Sequence, residues 1–437
     1  FIFFVYKFLS SNSFNEIIFV YLFFQIIIIA LHCVYIYFNG DFNLFDGFLI
    51  IATGFFLHNS LAASISLYTG IFFYDNIWSY EDIPRAIFLC YLSFFGIQVG
   101  YYFLKFREKG NVLRGFVFSE KRIIIFFSLI LLFIYSYMLD GFGNNDPSLS
   151  GGFQFTIFTL IFEIPYFLIL LSPNKKPYHY LIMFIGILIT ASVSLFYGIG
   201  SKAGIINLLV ALLLYRNFFI KKIQITRTTI YLFIAIFLML YINYLRSVGY
   251  LSGVQTEKLN PFSSTENFKI FTMSGFGSLA TPFEALLVTI NHFPEISAFQ
   301  FGSRAVEDFL YPLLPRFIWI DKPIVYGVAT MWHEELSHFS TYAGRSFEAI
   351  SLPGHFYQDF ATFGSFLGGF LMGITTNIFF FSLAYGKYSK ESIALYGILI
   401  VQILLASRAF TWTSATLIVY LILPFIVIRF LITKRKN

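Results

Sequence analysis

Residues 17–38 read IIFVYLFFQIIIIALHCVYIYF, with no Asp, Glu, Lys or Arg along their whole length. About 20 apolar residues in an α-helix are enough to cross the hydrocarbon core of a bilayer, which is roughly 30 Å thick. A transmembrane β-strand would alternate polar and apolar side chains at every second position, and this stretch does not. The segment therefore predicts a membrane-spanning helix.

The same character extends over the whole chain of 437 residues, of which 58% are hydrophobic and 12% charged, with a mean hydropathy of +0.75. Soluble domains carry about 25% charged residues, so this composition predicts an all-α polytopic membrane protein. Apolar segments predict about eleven transmembrane helices, or about twelve if residues 1–9 belong to another. They are 17–38, 42–66, 86–106, 122–139, 153–171, 180–198, 203–220, 228–245, 356–384, 391–407 and 411–431.

Basic residues alternate between the loops. Loops 105–122, 173–179 and 216–227, the loop with Lys387 and Lys390, and the C-terminal tail are rich in Lys and Arg, whereas 75–85 and 141–152 hold one and none. Because Lys and Arg concentrate on the cytoplasmic side of membrane proteins, the basic loops and the C-terminus are predicted to be cytoplasmic. The net charge of +6 then reports topology and does not indicate nucleic-acid binding.

One long connection divides the chain into three parts. Residues 1–245 are predicted to form an N-terminal helix bundle, 246–355 a large outward loop, and 356–437 the C-terminal transmembrane helices with a basic tail. Patterning within the loop predicts short helices at 279–292 and 303–311. Its prolines are expected to break it into pieces: Pro261, Pro282, Pro294, Pro312, Pro315, Pro323 and Pro353.

The outward side collects cations despite the general bias against them there. Arginine binds phosphate and carboxylate groups in bidentate fashion, so this set suits a pyrophosphate head group. The alternative is that each cation pairs with a nearby acid, such as Glu307, Asp308 or Asp321, or reaches to lipid headgroups. The set comprises Lys202, Arg246, Arg304, Arg316, Lys322, Arg345 and Arg408.

A transferase that releases a pyrophosphate would also need a base for the attacking hydroxyl. His355 and Asp359 are four residues apart at the start of a predicted span, so they share a helix face; capping of that helix is the alternative. The other candidate bases are His333, Glu334, Glu335, His338 and Glu348. The two histidines of WHEELSH (332–338) are five residues apart, which excludes the His-Glu-x-x-His zinc helix.

Several residues within the spans are expected to be structural. His32 and His58 are predicted to pack in the core or to form interhelical hydrogen bonds, and Cys33 and Cys90 to be packing residues. GSFLGGFLMG (364–373) predicts a helix-packing face, because glycine lets two helix backbones approach closely. No phosphate-binding loop of the G-x-x-x-x-G-K-[ST] type is present, so the sequence does not support ATP-driven transport.

Four patches of the chain resemble the Wzy-type O-antigen or oligosaccharide repeat-unit polymerases of bacteria. They are GSKAGIINLLVALLLYR (200–216), YINYLR (241–246), LPRFIWIDKP (314–323) and FYQDFATFGSFLGG (356–369). The layout of a large outward loop between helix-rich segments is also similar. Lys202 stands where the family often has Arg, which keeps the charge and loses the bidentate fork.

The resemblance implies a glycosyltransferase of the bacterial inner membrane with its active face in the periplasm. Its substrates would be undecaprenyl-pyrophosphate-linked oligosaccharide repeat units, and the growing glycan would pass en bloc from one lipid carrier to the next unit. It implies no metal or other cofactor, and a chain-length regulator protein as a partner. The resemblance implies catalytic roles for Arg246, Arg316 and Arg345, and gives Lys202 and Arg408 as weaker candidates. From the residues themselves, His355 and Asp359 are the further catalytic candidates. The substrate-binding candidates are Lys202, Arg304, Lys322, Glu348 and Arg408.

Two other functions fit the same layout. An O-antigen ligase shares the large outer loop and transfers the finished glycan to a lipid A core. A flippase for lipid-linked oligosaccharides would move the units without chemistry, but such transporters usually have short loops and charges midway through several spans. The single dominant loop of this chain favours the enzyme.

Overall fold

The computed structural model of the chain describes residues 14–39, 43–69, 79–104, 116–118, 216–223, 260–313, 350–385, 390–408 and 433–435. It also describes the single positions 210, 213, 214, 237, 241, 244, 319 and 321. Within these residues the protein is helical, as predicted for a helical membrane protein.

The described residues form eight α-helices. We label them α1 (Phe14–Phe38), α2 (Gly47–Phe56), α3 (Ala62–Thr69), α4 (Ile83–Phe103), α5 (Thr265–His292), α6 (Ser303–Leu313), α7 (Leu352–Phe379) and α8 (Lys390–Arg408). A π-helical turn, Leu57–Leu61, joins α2 to α3, and another, Phe380–Ala384, extends α7. A 3₁₀ turn, Tyr80–Asp82, leads into α4, and Arg216–Ile220 forms a further π-helical turn.

Four of the described helical segments are long and apolar enough to cross a membrane: Ile18–Phe38, Gly47–Ile65, Tyr80–Phe103 and Leu352–Ala384. They correspond to the predicted spans 17–38, 42–66, 86–106 and 356–384. The predicted span 391–407 is helical in α8, where a shorter apolar stretch, Leu395–Leu404, is found. The spans 122–139, 153–171, 180–198 and 411–431, and most of 203–220 and 228–245, lie outside the described residues, so the total number of spans stays a prediction.

Helices α4 and α7 form a close parallel pair. A side chain built at Gly369 would collide with the carbonyl of Ser93, and one at Gly96 with the carbonyl of Phe366. Gly373 faces Ile97 in the same way, so residue numbers rise together along both helices. Asn377 Nδ2 donates to the carbonyl of Tyr101 over 2.7 Å. The predicted packing face at 364–373 is confirmed, and both helices begin at the same end of the bundle.

Helix α5 corrects one expectation about the long connection. The short helix predicted at 279–292 is the second half of a single helix of 28 residues that continues through Pro282. Residues 281–290 are all buried, and α5 packs against α3 and α7. A proline removes only one backbone donor, and burial on several sides holds the helix together around it. The helix predicted at 303–311 is confirmed as α6.

A buried polar network ties α1, α2 and α4 together where α1 and α4 end. His32 Nε2 lies 2.7 Å from Asp46 Oδ1, and the Tyr101 hydroxyl donates to Asp46 Oδ2 over 3.2 Å. Asp46 also caps α2 by accepting from Leu49 N at 3.0 Å, and His32 Nδ1 contacts the Tyr102 hydroxyl. The prediction that His32 is an interhelical hydrogen-bond partner is confirmed.

Besides the helices, the described residues form one short antiparallel ribbon. Strand β1 (Phe116–Phe118) pairs antiparallel with β2 (Thr433–Arg435), and Val117 lies opposite Lys434. The ribbon therefore joins the basic segment 105–122 to the C-terminal tail. Two segments predicted to lie on the same side of the membrane are thus in direct contact.

Candidate functional site

Three of the predicted site residues meet at the start of α7. His355 and Asp359 lie on α7 itself, and Arg304 lies in the first turn of α6. Arg408 is the last residue of α8, and its side chain lies outside the described residues. The remaining predicted positions also lie outside them: Lys202, Arg246, Arg316, Lys322, Arg345 and Glu348.

Helix α7 begins earlier than expected, at Leu352 instead of residue 356. Ser351 is its N-cap residue, and Pro353 stands in the first turn, where its missing N–H has no helical partner to lose. The carbonyl of Ser351 accepts the first helical bond from His355 N at 2.9 Å. His355 and Asp359 are both 0% exposed. The N-cap position belongs to Ser351, so neither His355 nor Asp359 occupies the cap of α7.

The helix breaks immediately after Asp359. Phe360 leaves the helical region (φ −132°, ψ 22°), and Ala361 adopts φ 54° and ψ −147°. This last conformation is normally found only in glycine and costs about 1–3 kcal/mol. A side chain at Gly364 would collide with the carbonyl of Phe356, so glycine is needed for the chain to turn back into a helix. Residues 352–359 thus form a short buried helix ahead of the main rod.

The turn before α6 closes this break. The carbonyls of Gln358 and Asp359 accept from Gln300 N at 3.0 Å and from Phe301 N at 3.1 Å. Gly302 N donates to Asp359 Oδ1 over 3.1 Å. Phe301 and Gly302 both have positive φ, 48° and 86°. This conformation lets the three successive N–H groups of residues 300–302 point at Gln358 and Asp359. The two carbonyls released by the break thus gain partners from a segment that lies far earlier in the chain, as buried backbone groups require.

Two polar atoms at the break remain without a hydrogen-bond partner among the described residues. They are Asp359 Oδ2 and Gln358 Nε2, one an acceptor and the other a donor, and both are buried. The half-buried Arg304 lies near enough to act electrostatically on Asp359. Buried polar atoms without partners are rare in proteins, so this pair marks a place where a ligand's hydroxyl or amide could bind.

Arg85, which is not among the predicted site residues, also lies at this end of the bundle. It is exposed at the start of α4 and lies over the ring of Tyr357, 5.3 Å from the ring centre. Tyr357 is held in place because its hydroxyl donates to the carbonyl of Phe293 over 3.1 Å. The charges of Asp82 and Glu295 also act on this ring. The sequence feature that could have indicated a role for Arg85 is its position as the single basic residue in 75–85.

The site therefore combines a carboxylate, a histidine and two arginines around a broken helix. Asp359 and His355 are buried on one face of the short helix, while Arg304 and Arg85 stand nearer the surface. A buried carboxylate can accept a proton, and guanidinium groups can stabilise a departing phosphate. The described residues hold no group of three or more His, Cys, Asp or Glu suited to a metal ion, and metal independence stays a prediction.

Comparisons with known proteins add no assignment to this geometry. No family model, no curated protein and no solved structure matches the chain. The resemblance to a family of polymerases thus depends on the sequence patches at 200–216, 241–246, 314–323 and 356–369.

Proposed function

We propose that the protein is a polysaccharide polymerase of the bacterial inner membrane. It joins undecaprenyl-pyrophosphate-linked oligosaccharide repeat units into an O-antigen or capsule-like glycan at the periplasmic face. The observation that carries the proposal is the buried Asp359 carboxylate at the break of α7, with one oxygen held by Gly302 N and Arg304 close by. The reaction needs a carboxylate as the base and a guanidinium group to stabilise the departing pyrophosphate.

In this mechanism, Asp359 takes the proton of the acceptor sugar hydroxyl. The hydroxyl oxygen attacks the anomeric carbon of the growing glycan, and the bond from that carbon to the pyrophosphate oxygen breaks. The electron pair leaves with the pyrophosphate, whose charge Arg304 and Arg85 stabilise. Arg246, Arg316 and Arg345 belong to the same proposed anion site, with Lys202, Lys322, Glu348 and Arg408 as substrate-binding candidates. His355, one helical turn before Asp359 on the same face, is the second candidate base.

The topology of the described helices supports a periplasmic site. The β1–β2 ribbon joins two basic segments, and basic segments favour the cytoplasm. Helix α4 begins near Arg85 and ends just before the segment that leads to β1. The start of α4, and with it the start of α7, is therefore expected on the other side of the membrane. A chain-length regulator protein remains an expected partner from the family resemblance.

The proposal is tested by Asp359→Asn, which keeps the side-chain shape and removes the base. Loss of a general base lowers such a rate by about a hundredfold or more, so long glycan chains should disappear from a lipopolysaccharide gel while single repeat units remain. Glu81→Gln is the matched control, because Glu81 is exposed near the same end of the bundle. Equal amounts of both variants in the membrane are required, and normal chains in the Asp359→Asn strain would refute the role of this residue.

The broken helix also favours a second candidate, a flippase, because transporters often bind substrate at discontinuous helices. The two functions differ in where single lipid-linked units accumulate when the protein is removed. Loss of a polymerase leaves units on the outer face of the membrane, and loss of a flippase leaves them on the inner face. Protection of the units from an added glycosidase in spheroplasts distinguishes the two.

A further inference from the structure

Helix α6 presents an apolar stripe that no other described element covers. Val306 and Leu310 are 55% and 46% exposed, and Phe301, just before the helix, is 77% exposed. Val306 and Leu310 are four residues apart, so they lie on the same face of the helix. Soluble surfaces rarely group large exposed apolar side chains in this way.

The other side of α6 is polar. Arg304, Glu307 and Tyr311 follow at spacings of three and four residues and are half-buried, and Arg304 acts on Asp359. The helix has 11 residues, which gives a length of about 17 Å and is too short to cross a bilayer. A short helix with one apolar and one charged side is typical of helices that lie in the plane of a membrane surface.

The stripe is continuous with the exposed apolar side of α7. On α7, which is long and apolar enough to cross the membrane, Phe363 and Leu371 are 65% and 40% exposed. Phe360 connects the two surfaces, because it is 37% exposed and its ring lies beside Gly302 at the start of α6. An apolar surface therefore runs from the side of α7 through Phe360 onto the exposed face of α6.

We propose that α6 is an interfacial helix, with Phe301, Val306 and Leu310 inserted at the boundary between lipid headgroups and acyl chains. The occupant of the stripe is the bilayer itself, because the stripe continues the exposed surface of a membrane-crossing helix. This inference does not depend on the polymerase function. It implies that the membrane surface holds the 300–302 turn, and thereby its three hydrogen bonds to α7, at a fixed depth.

The test uses a nitroxide spin label on single cysteines in the full-length protein, reconstituted into vesicles of phosphatidylethanolamine and phosphatidylglycerol. Cys33 and Cys90 are first replaced by alanine, since the chain has 2 cysteines. Labels are then placed with Val306→Cys and Leu310→Cys. Leu371→Cys provides a lipid-facing reference, and Glu295→Cys provides an exposed polar reference. Oxygen partitions into lipid and a nickel chelate into water, so the ratio of the two collision rates reports the surroundings of each label.

We expect the labels at 306 and 310 to show oxygen-to-nickel ratios several-fold above that at 295 and close to that at 371. Ratios equal to that at 295 would overturn the proposal, because the stripe would then face water. Low accessibility to both reagents would also overturn it, because a second copy or a protein partner would then cover the stripe. Circular dichroism of each labelled variant verifies that the helices remain folded.

Discussion

Packing alone does not explain the surroundings of Asp359. It is fully buried, one of its oxygens accepts from Gly302 N, and the other has no partner among the described residues. Burying a carboxylate without full compensation costs several kcal/mol, and such groups within membrane-spanning segments are by default functional candidates. Arg85 and Arg304 bring positive charge to the same end of the bundle. The proposed role of Asp359 as the base would account for these costs.

Ala361 allows the strain at the break to be measured. Ala361→Gly relieves a conformation that alanine rarely adopts, so we expect the free energy of unfolding to rise by about 1 kcal/mol. Thermal unfolding in detergent, followed by circular dichroism, measures the change. Ala305→Gly is the control, because Ala305 is also half-buried but lies within the regular helix α6. There the same replacement should lower stability by about 0.5–1 kcal/mol. Equal losses at both positions would mean that Ala361 is not strained.

The elements show which features sequence patterns can predict. Long apolar runs predicted the helices at 17–38, 42–66, 86–106 and 356–384, and closely spaced glycines predicted the packing face of α7, because both signals are local. The break after Asp359 depends on N–H groups from residues 300–302, and no local pattern connects these positions. The prediction that Pro282 breaks the chain was wrong for a related reason. Burial of α5 outweighs the local preference of proline to end a helix.

The close contact between α4 and α7 leaves no room for a side chain at Gly369. Gly369→Val would push a branched side chain into the backbone of Ser93, and overpacking of this kind costs about 3 kcal/mol. The thermal midpoint of the purified protein should fall accordingly. Leu371→Val, two positions further on and partly exposed, is the control and should have little effect. A tolerated valine at 369 would be inconsistent with the close parallel pairing.

At the scale of the whole molecule, the two ends of the bundle have different characters. One end holds the broken helix with its carboxylate and arginines, and the other holds the satisfied His32–Asp46–Tyr101 network. Helix α4 joins them, with Arg85 at its start and Tyr101 near its end. The partners of Asp46 are complete, whereas Asp359 keeps one oxygen without a described partner. We therefore propose that one end stabilises the fold and that the proposed reaction takes place at the other.

This division predicts a separation of effects. Asp46→Ala removes the carboxylate that His32 Nε2 and the Tyr101 hydroxyl contact, together with the cap of α2. The free energy of unfolding should therefore fall by about 3 kcal/mol or more. The length of the glycan chains, compared at equal amounts of protein in the membrane, should stay unchanged. Unfolding in detergent and a lipopolysaccharide gel normalised to protein amount measure the two effects, with the exposed Glu81→Ala as the reference. Shortened glycans at equal protein levels would mean that the network takes part in the reaction.

The most direct test of the account is transfer by the purified protein in vesicles, supplied with lipid-linked repeat units extracted from a strain that lacks it. We predict that the wild-type protein joins the units and releases one undecaprenyl pyrophosphate for each new linkage. The Asp359→Asn variant should be slower by about a hundredfold or more. Equal rates of linkage for the two proteins, or movement of the units across the bilayer by the wild-type protein without any linkage, would contradict the account.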